Sequence, residues 1–247
     1  MKLAIPLLIA LTTLAPAAHA QSSLGLTFAT LGVSTDDTSD KTAQAQADVA
    51  ITPYHGLQGD LGLSQFADTE IGYIAGHLYL APEPGQKYGF FAAYRDINDT
   101  ASTLLDLGIE GTIDLTPDLA LTAHAGVGQV KDRNLDYVFA GAGLGWRASE
   151  NLWLTADLSG VDIDQVGLQS TAATLRVAGQ YDIPNSAISL TMGAAHSRFS
   201  GDLSGSEDRF FVGLTVTLGQ SATSARTRPL NAPDPLAPYW RTGRLRP

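Results

Sequence analysis

From Gln21 to Gly219 the sequence repeats one pattern: eight to fourteen residues alternate apolar with small or polar side chains, then break briefly. A period of two puts the two kinds of residue on opposite faces of a strand, whereas a helix would scatter both around its circumference. Over Leu104 to Leu115, the residues Leu105, Leu107, Ile109, Ile113 and Leu115 share one face, and Asp106, Gly108, Glu110, Thr112 and Asp114 share the other. Ala43, Ala45, Ala47, Val49 and Ile51 likewise oppose Gln44, Gln46 and Asp48, and Phe210, Val212, Leu214, Val216 and Leu218 oppose Gly213, Thr215 and Thr217. The pattern predicts twelve strands, beginning near Ser23, Thr42, Leu57, Ile71, Tyr88, Ser102, Leu119, Tyr137, Leu152, Thr171, Ala187 and Arg209.

The breaks alternate too. One set is compact and mostly proline-bearing: Thr52-Pro53-Tyr54-His55, Pro82-Glu83-Pro84-Gly85, Thr116-Pro117-Asp118, Ser149-Glu150-Asn151 and Ile183-Pro184-Asn185, which read as tight turns. The intervening six are acidic, with Asp36, Asp37 and Asp40, Asp68 and Glu70, Asp96 and Asp99, Asp132 and Asp136, Asp162 and Asp164, and Asp202, Glu207 and Asp208. An up-and-down antiparallel order gathers the acidic loops at one end and the turns at the other. A Greek-key sandwich gives no reason for that regularity.

Two architectures could bury the apolar faces, a soluble β-protein with a dry core or a transmembrane β-barrel whose apolar face meets lipid. The polar face favours the barrel over a soluble periplasmic β-protein, because it carries Gly, Ala, Thr and Gln with few charges, which suits a confined lumen better than bulk water. Strands of ten to twelve residues also match the roughly 9–11 needed to cross a bilayer at a tilt. The expected fold is therefore all-β, an up-and-down antiparallel transmembrane β-barrel of about twelve strands. Aromatics fall near the strand ends, with Tyr54, Tyr79, Tyr88, Trp146, Trp153 and Tyr181 at the turn end and Tyr94, Tyr137, Phe199 and Phe210 toward the loop end, as two interfacial girdles would.

On this pattern Gln21 to Gly219 resembles the Gram-negative outer-membrane β-barrels of the porin-like and OmpA-like kind. The resemblance implies short periplasmic turns, longer outward loops, outer-membrane lipid as surroundings, and the barrel assembly machinery as a partner. It also implies a last strand that guides assembly through a Gly-x-x-apolar-x-apolar signal, which Gly213, Val216 and Leu218 fit. Many members end at an aromatic residue on that strand, whereas this chain continues for 28 residues.

The two ends of the chain differ from the repeat. Lys2, the apolar stretch Leu3 to Leu14 and Ala18-His19-Ala20 make residues 1–20 a cleaved secretory signal, so the mature protein starts near Gln21. Residues 220–247 turn to Ser, Thr and Ala and then to Pro229, Pro233, Pro235, Pro238 and Pro247, with five arginines against Asp234 alone. That composition predicts a disordered, semi-extended periplasmic tail that touches an anionic partner such as the inner leaflet or peptidoglycan. A third fate for the tail is to fold back into the acidic lumen as a plug. The sequence holds no Cys, which excludes disulfides and thiolate metal sites, and its formal charge of -10 argues against nucleic acid as a partner.

If the polar faces point inward, Asp48, Asp60, Asp106, Glu110, Asp114 and Asp157 line the lumen together with Arg95, Arg147 and Arg176. The acidic excess suits a narrow passive channel with a weak preference for cations. Two other functions fit the same barrel: a non-conducting structural protein that ties the outer membrane to the cell wall through its basic tail, and a lipid hydrolase. For hydrolysis, His196-Ser197 is the one adjacent His-Ser pair of the mature chain, yet neighbouring strand residues face opposite ways. No catalytic residue, metal site or cofactor follows from the sequence, since the Gly-rich pieces Gly126 to Gly128 and Gly141 to Gly145 open no helix.

Overall fold

The computed structural model describes residues 25–66, 69–98, 102–219, 222 and 224–245. The signal segment, Asp68, Asp99 and Arg246 lie outside the described residues. Twelve antiparallel strands form a closed barrel: β1 (Leu26–Asp36), β2 (Lys41–Ala50), β3 (His55–Phe66), β4 (Thr69–Leu80), β5 (Gln86–Ile97), β6 (Thr103–Thr116), β7 (Leu119–Val130), β8 (Leu135–Ser149), β9 (Leu152–Gln165), β10 (Leu168–Asp182), β11 (Ile188–Gly201) and β12 (Gly205–Gly219). Each strand pairs with its neighbours in chain order, and β12 closes the ring against β1, from Phe28 opposite Gly219 to Asp36 opposite Phe211. Closure leaves no strand edge, as a bilayer demands of any spanning sheet.

The alternation of the sequence becomes inside and outside. In β3, Leu57, Leu61 and Leu63 stand exposed on the outer wall while Gln58 and Asp60 are buried within. Ile74 and Leu78, Leu105, Leu107 and Ile109, and Leu175 and Val177 continue the outer belt around the ring. A continuous apolar surface of this extent is matched to lipid rather than to water.

The expected longer loops are not found. Connections at both ends run two to five residues, and the acidic residues assigned to loops mostly sit on the last strand positions, as Asp36, Asp96, Asp136, Asp162 and Asp164 do. Strand pairing continues to the rim because the carboxylates of Asp96, Asp136, Asp162 and Asp164 reach water without leaving the ladder, while the Asp36 side chain is buried beside Arg209. Val166-Gly167 alone joins β9 to β10, and the φ of +93° at Gly167 is one that glycine adopts without steric cost.

Inside the wall, aromatic rings lie over glycines on the adjoining strand. Gly56 faces Tyr79, Gly62 faces Tyr73, Gly108 faces Phe91, Gly126 faces Phe139, Gly128 faces Tyr137 and Gly193 faces Phe211. A Cβ on Gly126 would meet the Leu107 carbonyl oxygen at 2.5 Å and the Phe139 ring at 2.6 Å. These rings correct part of the aromatic assignment: Tyr79, Tyr137, Trp153 and Phe199 point into the lumen, since each shares strand parity with inward residues. Tyr54, Tyr88, Trp146 and Tyr181 at the turn end, with Tyr94 and Phe210 toward the loop end, are on the outer side as a lipid interface requires.

Gly126→Val should therefore destabilise the barrel by about 1–3 kcal/mol through overpacking against backbone that cannot yield. Gly59→Ala, where a Cβ meets nothing within 4 Å, should be silent. The temperature at which the folded band is lost on semi-native gels reads both.

Candidate functional site

The chain leaves β12 at the turn end, and its basic tail occupies the lumen. The expected disordered periplasmic arm is instead an ordered filling, because the wall offers buried carboxylates and amides to a segment rich in arginine and unpaired main-chain groups. The tail climbs from Ala225 near the turns to α1 (Ala237–Arg241) and Leu245 near the loops.

Its lowest contacts lie against β6 and the turn before β5. Asp114 accepts hydrogen bonds from the Ala225 main-chain N–H at 2.7 Å and from the Arg228 guanidinium at 3.0 Å, and the Arg226 N–H donates to the Pro84 carbonyl at 3.1 Å. Lys87 is fully buried; it donates to the Arg228 carbonyl at 3.1 Å and to Asp48 at 3.4 Å. Tyr79 donates its hydroxyl to the other Asp48 oxygen at 2.8 Å.

At mid-height the wall grips the tail's backbone. Gln58 forms a two-point pair with Leu230, donating to its carbonyl at 2.7 Å and accepting from its N–H at 2.9 Å. Gln46 donates to the same carbonyl at 3.0 Å and to Asp60 at 3.1 Å. Level with Gln58, His77 bridges Asp60 and Glu110, 3.1 and 2.6 Å away through its two ring nitrogens. Higher up, Arg95 pairs with Asp106 and donates to the Pro233 carbonyl, with Asp234 of the tail 3.7 Å away. Tyr137 donates to Asp106 from the other side.

Toward the loops the lumen turns apolar. Leu236, Tyr239, Trp240 and Leu245 fill a cup of Phe66, Ile97, Leu104, Phe139, Ile163 and Phe199, forming one continuous core inside the barrel. Tyr239 shares a hydrogen bond with Ser170 at 2.9 Å and stacks edge-on to Phe199. Arg241 lies over Phe66 and 3.7 Å from Asp40, and Arg244 lies over Phe199.

All nine candidate lining residues point inward, but they divide into two groups. Asp48, Asp60, Asp106, Glu110 and Arg95 are buried beneath the tail, and Asp114 is bonded to it. They hold the filling instead of facing a passing solute. Asp157 and Arg176, 3.4 Å apart, stay about 40% exposed across from the tail. Arg147 also faces the lumen, beside Trp153. Around the Asp157–Arg176 pair, Thr155, Thr174, Thr191 and Thr215 are half-buried, a polar lane at mid-height on β9 to β12 between the apolar cup that takes the tail and Trp153, which Arg228 of the tail covers. Above it Arg176, Arg209, Arg241, Asp36 and Asp40 surround a cavity of about 170 Å³.

The sequence reading missed Gln46, Gln58, His77 and Lys87, although strand parity puts Lys87 on the face of Arg95 and His77 opposite Gln58. His196 and Ser197 do not form a dyad. His196 is on the outer face, 2.7 Å from Asp208, and Ser197 is buried inward against Thr174. Gly213 of the suggested assembly signal faces Ser34 across the closing seam, with Val216 and Leu218 on the outer parity of β12.

Such a barrel, apolar outside and polar within, has the fold of outer-membrane β-barrel proteins, porins among them. No protein-family model and no curated protein matches the sequence. Among solved structures, the NanC porin is similar with a TM-score of 0.58 at 7% identity, over 76% of this chain and 98% of that one. The COG4313 outer membrane channel from Pseudomonas putida F1 is similar with a TM-score of 0.57 at 11% identity, over 79% and 96%. LpxR from Salmonella typhimurium is similar with a TM-score of 0.50 at 10% identity, over 77% and 99%.

Arg95→Met would leave Asp106 buried without its cation, a change that costs about 3–5 kcal/mol when a buried pair is broken from one side. The expected outcome is an unseated tail in an intact barrel, read as trypsin cleavage after Arg226 and Arg241 that the parent resists.

Proposed function

We propose that the protein is a porin-like channel of the Gram-negative outer membrane, exported by its amino-terminal signal, that passes small hydrophilic solutes passively and narrowly. The observation that carries this reading is the half-buried polar lane at mid-height on β9 to β12, lined by threonines and the Asp157–Arg176 pair, which the tail does not close. An interior designed only as a structural core would bury that wall as fully as it buries β3 to β5. Porins and a channel among the similar folds support the same class.

The charge preference follows from the tail. With the tail seated, Asp48, Asp106 and Asp114 face Lys87, Arg95 and Arg228, and the lane holds an acid and a base side by side. A lumen cleared of the tail regains its acidic excess and with it a cation preference. A tether to peptidoglycan would need the tail outside the barrel, where Arg228 and Arg241 would lose Asp114 and Asp40. The LpxR likeness is one of fold, and the His196-Ser197 geometry gives hydrolysis no support.

Single-channel recording in planar bilayers tests the proposal. The intact protein should give small currents of weak selectivity, and Asp157→Asn should move the reversal potential toward anions. Removal of residues 220–247 should raise the conductance several-fold and shift selectivity to cations. A truncated barrel that keeps its heat-dependent gel shift yet passes no ions would overturn the channel.

A further inference from the structure

We infer that the lumen is a binding site for a basic, proline-interrupted peptide with an aromatic, helix-forming end, and that the chain's own tail is its resident ligand. A peptide of that class supplied in trans takes the same seat once the tail has left it. The inference rests on how the tail is held and not on conduction.

The wall reads main chain. Asp114 takes the Ala225 N–H, Lys87 the Arg228 carbonyl, Gln58 both main-chain groups of Leu230, and Arg95 the Pro233 carbonyl. These groups belong to every peptide, so the wall recognises a peptide main chain before it recognises a sequence. Pro229, Pro233 and Pro235 fit that mode. Each removes a donor that a dry wall would otherwise have to satisfy, and each fixes its own φ, which lowers the entropy lost on seating.

Two further features narrow the class. Asp114 and Asp40 each pair with a tail arginine, in a lumen whose own carboxylates outnumber its cations, so the ligand is basic. The cup that takes Leu236, Tyr239 and Trp240 asks for an apolar, aromatic segment at the far end. Six charged residues of the strands, Asp48, Asp60, Lys87, Arg95, Asp106 and Glu110, are buried by this arrangement. Charges in that position are tolerated when an occupant completes their pairing, and Lys87 and Arg95 spend bonds on tail carbonyls in doing so.

The test uses the full chain, folded first, with a protease recognition sequence inserted between Gly219 and Ser224. After cleavage the cut tail is washed out at high salt, or exchanged directly against a labelled synthetic peptide of residues 224–245. One probe should bind per cut barrel, and the uncut protein should bind at least about tenfold more weakly, a difference of roughly 1.4 kcal/mol. A second probe keeps the prolines, the arginines, Leu236, Tyr239 and Trp240 and carries alanine elsewhere. It should bind within about tenfold of the first, and Gln58→Ala should weaken both by about tenfold through loss of the paired main-chain bonds. A probe with glutamate for Arg228 and Arg241 should fail to bind.

The inference is overturned if the cut, heat-shifting barrel neither binds nor exchanges the first probe. It is equally overturned if the uncut protein binds as well, or if the alanine probe fails where the native one succeeds, which would make the seat private to this tail. Bilayer current from the same samples separates the two readings. Binding without current sinks the channel alone, and current without binding sinks the peptide site alone.

Discussion

Lipid offers no hydrogen-bond partner to a peptide group, and everything else in this molecule follows from that constraint. Each spanning residue must find its bonds within the sheet, so the sheet must close, and the β1–β12 seam is where it does so. Closure gives every strand one face toward lipid and one toward a confined interior, so the period-two pattern of the chain becomes a radial one. The short connections belong to the same logic: with the ladder continued to the rim, few residues remain to be spanned.

The interior then poses a second problem. A twelve-stranded ring encloses more space than its own side chains fill, since so many inward positions are Gly, Ala, Ser and Thr, and the charged ones have no water if that space closes. The tail resolves both difficulties, pairing charged groups of β2 to β6 and filling an apolar cup that reaches round to β11. Its aliphatic and aromatic residues complete a core near the loops, while its carbonyls and arginines complete the pairing of Lys87, Arg95 and Asp114. Ion pairs buried in this way contribute little net stability over an apolar core, but they are intolerant of misplacement. They therefore fix the height and the direction of the tail more firmly than hydrophobic contact could. At mid-height on β9 to β12, around Asp157 and Arg176, the wall stays polar and half-exposed.

Local periodicity carried the strands: all twelve begin within four residues of where alternation places them, and the nine charged lining residues face inward as parity requires. The aromatic girdles were legible only in part, because position along a strand was weighed and parity was not. Tyr79 lies on the face of His77, and Phe199 on the face of Ser197, so both turn away from lipid. The tail was the hardest feature to read. Proline, arginine and small residues look locally like a solvated segment, and what orders them is remote, as with Gln58 and Leu230, 172 positions apart. The one trace in the sequence was the opposition of charge between a basic tail and an acidic barrel. Loop length could not be foreseen from acidic residues, which serve as well at a strand's wet end as in a loop.

The order of the chain gives the seated tail a kinetic meaning. Residues 224–245 follow β12, and their partners are spread over strands that enclose one lumen only when the ring is complete. Arg95, Lys87 and Asp48 consequently come together in a water-filled cylinder, where an unpaired charge is cheap. Dehydration is postponed until the occupant displaces that water. A lining that would be prohibitive to bury during collapse is assembled wet and dried last.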